Sequence, residues 1–415
     1  MNTAAQRNDR GRVLLITPQP FLEWRGSPIR VGFDARALSG LGWAVDLLAM
    51  PCGRDVAMPG VTLHRAPNPL RLRGLPIGPS LAKAAMDLFL LWAALRLARR
   101  TRYAVVHAVE DAGPIGALAA RVCGAKLVFE KHSDPASYRG APLRNAVMWL
   151  YARVERFSIR RADAVIATGP GLAEQVRRQH PDRRVWHIPD IPSSLAEADE
   201  ARCAQARRRL QQAAGDVLLL YVGSFAVYQG LDLLFAGIPP VCARHPAARF
   251  VIIGGAAGEI AARRAWLRQR GVEERVTFVG QVPPDELPNY LRAADILLSP
   301  RLSGANTPLK LLDYLKAGRP IVATDCPANR LILSPANAVL TAPEPEAWAK
   351  GISRLIENAE ERERLAAAGR RLIAETHNFE EFQRRLGRCY EETLAASREW
   401  DGGGDSDEKG ATASP

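Results

Sequence analysis

The stretch "SGANTPLKLLDYLKAGRPIVATD", Ser303 to Asp325, puts a cation and an acid on one short segment. It reads as a loop, then a helix, then a buried strand. Asn306-Thr307-Pro308 supplies the helix start: Thr307 can cap it, and Pro308 fits the first helical position. The unpaired backbone N–H groups of such a terminus, at Thr307 and Leu309 on either side of Pro308, suit a diphosphate. Lys310 falls in the first turn, where a cation opposes the helix dipole. That placement points to a use such as pairing with phosphate; the plain alternative is an ordinary surface lysine. Asp313 stands one turn further on, and its plain alternative is a carboxylate paired with a neighbouring cation. Eight residues before Asp313 stands Ala305.

Other stretches carry polar residues at strand ends. "YVGSFAVYQGLDLL" sets Ser224 and Gln229 in a loop between a strand and a helix. "KLVFEKHSD" ends in His132 and Asp134, and "YAVVHAVE" ends in Glu110. In open α/β sheets ligands bind beyond the carboxyl ends of strands, so these positions are candidates. His132 could orient a hydroxyl or accept its proton. His107, inside its strand, reads as a core or supporting residue. "GGAAGE", Gly254 to Glu259, lacks GxGxxG spacing and reads as a tight strand-to-helix turn.

These residues need a scaffold. Apolar runs such as "RVLLITPQP", "AVDLLAM", "VTLHRAP", "YAVVHAVE", "KLVFEKHSD" and "DAVIATG" alternate with helical segments. The alternation predicts a doubly wound parallel α/β sheet. It breaks at Asp190–Asp216, a polar helical stretch, and restarts with "VLLLYVGSF". The expected organisation is a disordered 1–11, a Rossmann-like N-terminal domain over 12–195 and a linker region over 196–215. A second Rossmann-like domain follows over 216–378. An amphipathic helix is expected over 379–400, and a disordered tail over 401–415. Two facing α/β domains imply an interdomain cleft.

A chain of 415 residues suits two domains. Its six cysteines are scattered, with no CxxC, which argues against a disulfide framework or a zinc site and fits a reducing cytoplasm. The polar start carries no secretory pattern. Net charge is +12, and residues 1–195 hold 28 Lys and Arg against 15 Asp and Glu. A basic half suggests an anionic surface nearby, although a solvated Arg-rich face would look the same. "SLAKAAMDLFLLWAALRLARRTR" joins an apolar face and Trp92 to Arg96, Arg99, Arg100 and Arg102. It is compatible with an interfacial helix on anionic lipid, and too short and charged to span a bilayer. No aromatic-basic motif accompanies the charge, which argues against nucleic acid.

The order of elements resembles the retaining glycosyltransferases of family 4, with the GT-B fold. The stretches "YVGSFAVYQGLDLL", "VTFVGQVPPDELPNYLRAADILLSPR" and "TPLKLLDYLKAGRPIVATD" carry it. It covers roughly residues 12–395 and is tighter in the second half. It implies sugar transfer from a nucleotide-sugar, a UDP- or GDP-sugar, with no metal or other cofactor required. The nucleotide-sugar would sit on the second domain, 216–378, and a lipid-linked or glycan acceptor on the first, 12–195, with the 379–400 helix packing back on the first domain. The family's Glu-x7-Glu pattern falls on Ala305 and Asp313, and Asp313 could still bond a ribose diol. Family cations before and after the strand-end loop fall on Ser224 and Gln229, a departure shared with a "YQG" subtype; Lys310 or Arg301 could restore the charge. The backbone at Gln281 and Val282 would line the base pocket. "PFLEWRGSP" matches the glycine loop, with Gly26 approaching the diphosphate and Arg25 an anion contact. His132 matches a histidine near the transferred sugar, joined by Glu110 and Asp134.

The leading expectation is a cytoplasmic transferase, peripheral on the inner face of the plasma membrane. A catalytically weak GT-B protein that regulates glycan assembly is a second reading, kept alive by Ala305, Ser224 and Gln229. A GT-B sugar-nucleotide epimerase is a third; the basic first domain favours the transferase.

Overall fold

The computed structural model describes residues 10–21, 26–69, 71–72, 74, 80–135, 142–304 and 307–401. Arg25, Ala305 and Asn306 lie outside them, as do 1–9 and the tail from 402. The chain divides into two compact units, 1–188 with 382–415, and 189–381.

The first unit runs β1 (Arg12–Ile16), α1 (Gly26–Gly40), β2 (Ala44–Ala49), β3 (Val61–Arg65), α2 (Leu81–Arg100), β4 (Val105–Val109), α3 (Gly113–Cys123), β5 (Lys126–Lys131), α4 (Pro142–Arg161), β6 (Ala164–Ala167), α5 (Pro170–Gln179) and β7 (Arg184–His187). Its seven strands lie in the order β3-β2-β1-β4-β5-β6-β7, every pair parallel. Strand order reverses between β1 and β4, so the loops after these strands diverge and leave room for a ligand. Strands β1, β4 and β6 are buried on both faces, which is why they read as unbroken apolar runs. The apolar runs legible in the sequence of this unit end at β6. Helix α5 and β7 follow it because Pro170 starts a helix, while β7 is a four-residue, half-exposed edge strand whose pattern is too short to read.

The second unit holds α6 (Glu200–Leu210), β8 (Val217–Val222), α7 (Leu231–Arg244), β9 (Ala248–Ile253), α8 (Ala257–Arg268), β10 (Val276–Gly280), α9 (Leu287–Ala293), β11 (Ile296–Ser299), α10 (Leu309–Ala317), β12 (Ile321–Thr324), α11 (Pro327–Arg330), β13 (Val339–Thr341), α12 (Pro345–Glu357) and α13 (Ala359–Thr376). Helix α14 (Phe379–Asp401) follows, and from Phe382 its residues belong to the first unit. The six-stranded parallel sheet is ordered β10-β9-β8-β11-β12-β13 and reverses between β8 and β11. At that point Gly230 has φ +72°, and a Cβ there would meet the Pro300 carbonyl oxygen at 1.8 Å. Only glycine allows the loops after β8 and β11 to touch this closely.

The boundaries differ from the expected 195 and 215. Residues 189–210 are built into the second unit rather than linking to it. Asp199 accepts from Arg202 N to cap α6, and Arg207 forks onto Asp295 at 3.1 Å. The start also departs from expectation: Arg10 is placed, pairing with Glu391 at 2.6 Å on the surface.

Candidate active site

In the second unit the loop after β8 and the start of α10 converge. Lys310 Nζ donates to Gln229 Oε1 at 2.7 Å and lies 4.5 Å from the centre of the Tyr221 ring. Tyr221 OH donates to the Ser224 carbonyl at 2.9 Å, fixing the loop. Arg301 stacks over Tyr228, and Leu302 N donates to the Tyr228 carbonyl. Tyr314 OH bonds both Val222 N at 2.9 Å and the Leu298 carbonyl at 3.2 Å, tying α10 to β8 and β11. Burial, with Arg301 adding repulsion, pushes the Lys310 ammonium down to about 7. Ser224, Gln229 and Lys310, separate in the sequence, thus form one cluster beside the α10 N-terminus. Such a cluster, poised to gain a proton and a partner, suits an anion.

Two details of the sequence reading are corrected. Helix α10 begins at Leu309, with Pro308 in the capping position and no side-chain cap. Thr307 therefore does not cap, because the extended Pro308 backbone delays the first turn by one residue. Asp313 is not part of the Lys310 cluster. Its two oxygens accept from Ser193 N at 2.7 Å and Ser193 Oγ at 2.6 Å. Burial lifts its carboxyl to about 6, against the pull of those hydrogen bonds and of Lys316. Val282 and Leu309 both pack on the core cluster that holds Leu311 and Leu312.

In the first unit the sequence candidates meet residues that sequence reasoning passed over. Glu130 is fully buried at the end of β5. Its Oε1 accepts from Arg30 Nε at 2.5 Å, and its Oε2 lies 3.3 Å from His107 Nε2 and 3.4 Å from His132 Nε2. His107 Nδ1 meets Tyr390 OH of α14 at 2.9 Å. Burial opposes ionisation of Glu130, but Arg30 and His132 outweigh it and hold the carboxyl well below its ordinary range. Burial likewise opposes charge on His132, and Glu130 outweighs it, so the imidazole titrates above its ordinary value. That direction favours the protonated imidazole, which donates hydrogen bonds from both ring nitrogens. The signal was available: three successive ionisable residues, Glu130, Lys131 and His132, end an apolar strand.

Glu110 has φ +47° and accepts from Gln19 and Ser133, both at 2.9 Å. It bridges the loops after β1, β4 and β5, at the strand-order reversal. Asp134 accepts from Gln175 of α5 at 3.0 Å. Gly26 opens α1 and is exposed, at the same end of the sheet. Among the described residues no three His, Cys, Asp or Glu side chains gather closely enough to hold a metal ion.

This pairing of two Rossmann-like units, each with polar residues at its strand-order reversal, defines a GT-B architecture. A glycosyl transferase 4-like domain matches residues 26–190, and a glycosyl transferases group 1 domain matches residues 216–358, one on each unit. The chain accordingly belongs among the glycosyltransferases of the family 4 type. The D-inositol 3-phosphate glycosyltransferase of Acidothermus cellulolyticus is 26% identical over 72% of this chain and 70% of its own length. The phosphatidyl-myo-inositol mannosyltransferase of Mycobacterium leprae is 26% identical over 45% of this chain and 50% of its own. Sucrose-phosphate synthase of Thermosynechococcus elongatus shares the fold at a TM-score of 0.76, with 22% identity over 93% of this chain and all of that one. HepE of Anabaena, in complex with UDP-glucose, does so at 0.68, with 16% identity over 93% of this chain and 99% of that one.

Proposed function

We propose that this chain is a retaining glycosyltransferase that moves a sugar from a UDP- or GDP-sugar to a phosphorylated polyol or a lipid-linked glycan. The observation that carries the reading is the Lys310–Gln229 cluster at the β8/β11 reversal. Lys310, Gln229, the Ser224 loop and the α10 N-terminus would hold the donor diphosphate. As the leaving diphosphate gains charge, Lys310 becomes fully protonated and stabilises it. Asp313 would take the ribose diol by exchanging its bonds from Ser193. In the first unit His132, whose protonated form Glu130 favours, would donate a hydrogen bond to the transferred sugar or the acceptor. The resemblance supports the retaining outcome; the inositol-phosphate relatives and the UDP-glucose complex of HepE support the acceptor and donor classes.

The surface of the first unit favours an acceptor at an anionic membrane. Helices α2, α3 and α4 pack side by side. Leu88 and Trp92 on α2, Leu118 and Val122 on α3, and Trp149 and Phe157 on α4 are exposed. Arg96 stacks on Trp92, Arg153 on Trp149 and Arg161 on Phe157. Trp149, Arg153, Phe157 and Arg161 recur every four residues, so they share one stripe of α4. Aromatic rings flanked by arginines suit the headgroup boundary of anionic lipid. Among the described residues no helix is long and apolar enough to cross a membrane.

The test is thermal unfolding with UDP, GDP, ADP and CMP and their sugar conjugates. A shift with UDP or GDP and its sugar supports the reading, since a ligand of the folded state raises Tm. Absence of any shift would sink it. Proton NMR of the product's anomeric signal then decides retention against inversion.

A further inference from the structure

The second unit contains a cavity of about 440 Å³ that Asp313 edges. Helices α6 and α9, the C-terminal half of α10 and residues 194–198 wall it; Ser224, Gln229 and Lys310 are not among its residues. Five cations face it, and three of them are matched. Arg207 pairs with Asp295 at 3.1 Å, Lys316 with Glu197 at 3.0 Å and Arg370 with Glu363 at 3.1 Å.

Arg292 and Arg319 are different. Arg319 Nε and Nη2 donate to the Arg292 carbonyl at 2.9 and 2.5 Å, and Arg292 Nη1 donates to the Ala317 carbonyl at 3.1 Å. Among the described residues neither has a carboxylate within ion-pair distance. Two arginines thus line the same cavity with N–H donors to spare, their recorded partners being helix-end carbonyls, and they lie close enough for Arg292 to repel charge on Arg319. Burial, with Arg292 and Arg207 nearby, lowers the Arg319 pKa below its ordinary value, although Asp295 opposes this. Adjacent like charges in a partly dry site are unfavourable unless an anion joins them. The rest of the wall narrows the choice of anion. It offers no aromatic ring on which a base could stack, but Glu200 and Ser194 can accept bonds from hydroxyls.

We infer that this cavity is a second ligand site, for a phosphorylated sugar, whose phosphate bridges Arg292 and Arg319 and whose hydroxyls meet Glu200 and Ser194. The site takes in none of Ser224, Gln229 and Lys310, meets the proposed ribose contact only at Asp313, and does not rest on the proposed transfer reaction. Cys203 in the wall serves as reporter: occupancy shields its thiol from alkylation, read by mass spectrometry of its peptide.

The full chain is alkylated at rising glucose 6-phosphate, with glucose and inorganic phosphate in parallel. At a concentration ten times Kd, alkylation of Cys203 slows about tenfold while Cys52 and Cys123 are unaffected. Glucose gives no protection, and phosphate gives it only at higher concentration. The pair R292Q/R319Q abolishes protection, and Ala204→Trp, which fills the cavity from an exposed position of α6, does the same with every cation kept. Thermal unfolding of both variants at the wild-type temperature confirms that the fold survives. No protection of Cys203 by glucose 6-phosphate, or protection that persists in Ala204→Trp, overturns the site. Equal protection by inorganic phosphate overturns its assignment to a sugar.

Discussion

Lys310 makes donor binding a proton-uptake reaction. In the free protein its ammonium titrates near 7, whereas an ordinary lysine titrates at 10.5. A bound diphosphate supplies the missing counter-charge and restores the higher value. The full difference corresponds to a ceiling of about 5 kcal/mol of coupling between proton and ligand. The sign follows from the depressed pKa. Below about pH 7 Lys310 is already charged in the free protein, whereas above it the group is neutral and must gain a proton when the ligand arrives. UDP-glucose carries a constant charge in this range, so the pH dependence belongs to the protein. Its Kd should be nearly flat below about pH 6 and rise about tenfold by pH 8. Calorimetry at pH 8 in buffers of different ionisation enthalpy should find about 0.9 proton taken up per ligand bound. Lys310→Met should bind more weakly at low pH and lose the slope. A wild-type Kd that is constant from about pH 6 to 8, with no proton uptake, would refute the placement of Lys310 against the diphosphate.

Glu130→Gln leaves Arg30 buried without its carboxylate and should cost about 3–5 kcal/mol of stability in denaturant titration. Because the Glu130 pKa is depressed, the stability it adds is present above the ordinary carboxylate range and fades as pH falls through its folded value; the variant should lose that acid-side slope. Asp313 has the opposite sign. Its raised pKa, about 6, makes the folded protein lose up to about 3 kcal/mol as pH climbs from about 4 to 6, and Asp313→Asn should abolish that loss while weakening UDP binding. Unchanged UDP affinity would remove Asp313 from the donor site. Replacing Trp92 and Trp149 by Ala should release the protein from vesicles rich in anionic lipid, seen by flotation. Equal flotation of the variant would clear the α2–α4 face of any role.

The scaffold was legible because central parallel strands are apolar on both faces, so β1, β4, β8 and β11 announce themselves. The edge strand β7 is not, since half of it faces water. Residues of the α10 start were legible because cations are uncommon in a helix's first turn. The partner of Lys310 was not: Gln229 is 81 residues away, and only the parallel crossover between β8 and β11 brings them together. The same holds for Glu130. A charged residue in an apolar strand signals a network, but Arg30 stands 100 residues before it and Tyr390 of the same cluster far after.

The bond between His107 and Tyr390 spans 283 residues and is buried. It makes the first unit discontinuous in time as well as in sequence. Residues 1–188 leave the ribosome without the α14 segment that covers His107 and Trp43, whereas the second unit, 189–381, is continuous and complete before that segment is made. Synthesis therefore presents a finished second unit to a first unit still lacking a piece of its core. Loop-closure entropy makes that last contact slow relative to local ones. Until residue 390 has been made, the buried charges of Glu130, Arg30 and His132 stand partly open to water, so nascent chains stopped before α14 should be the ones that chaperones and proteases hold longest.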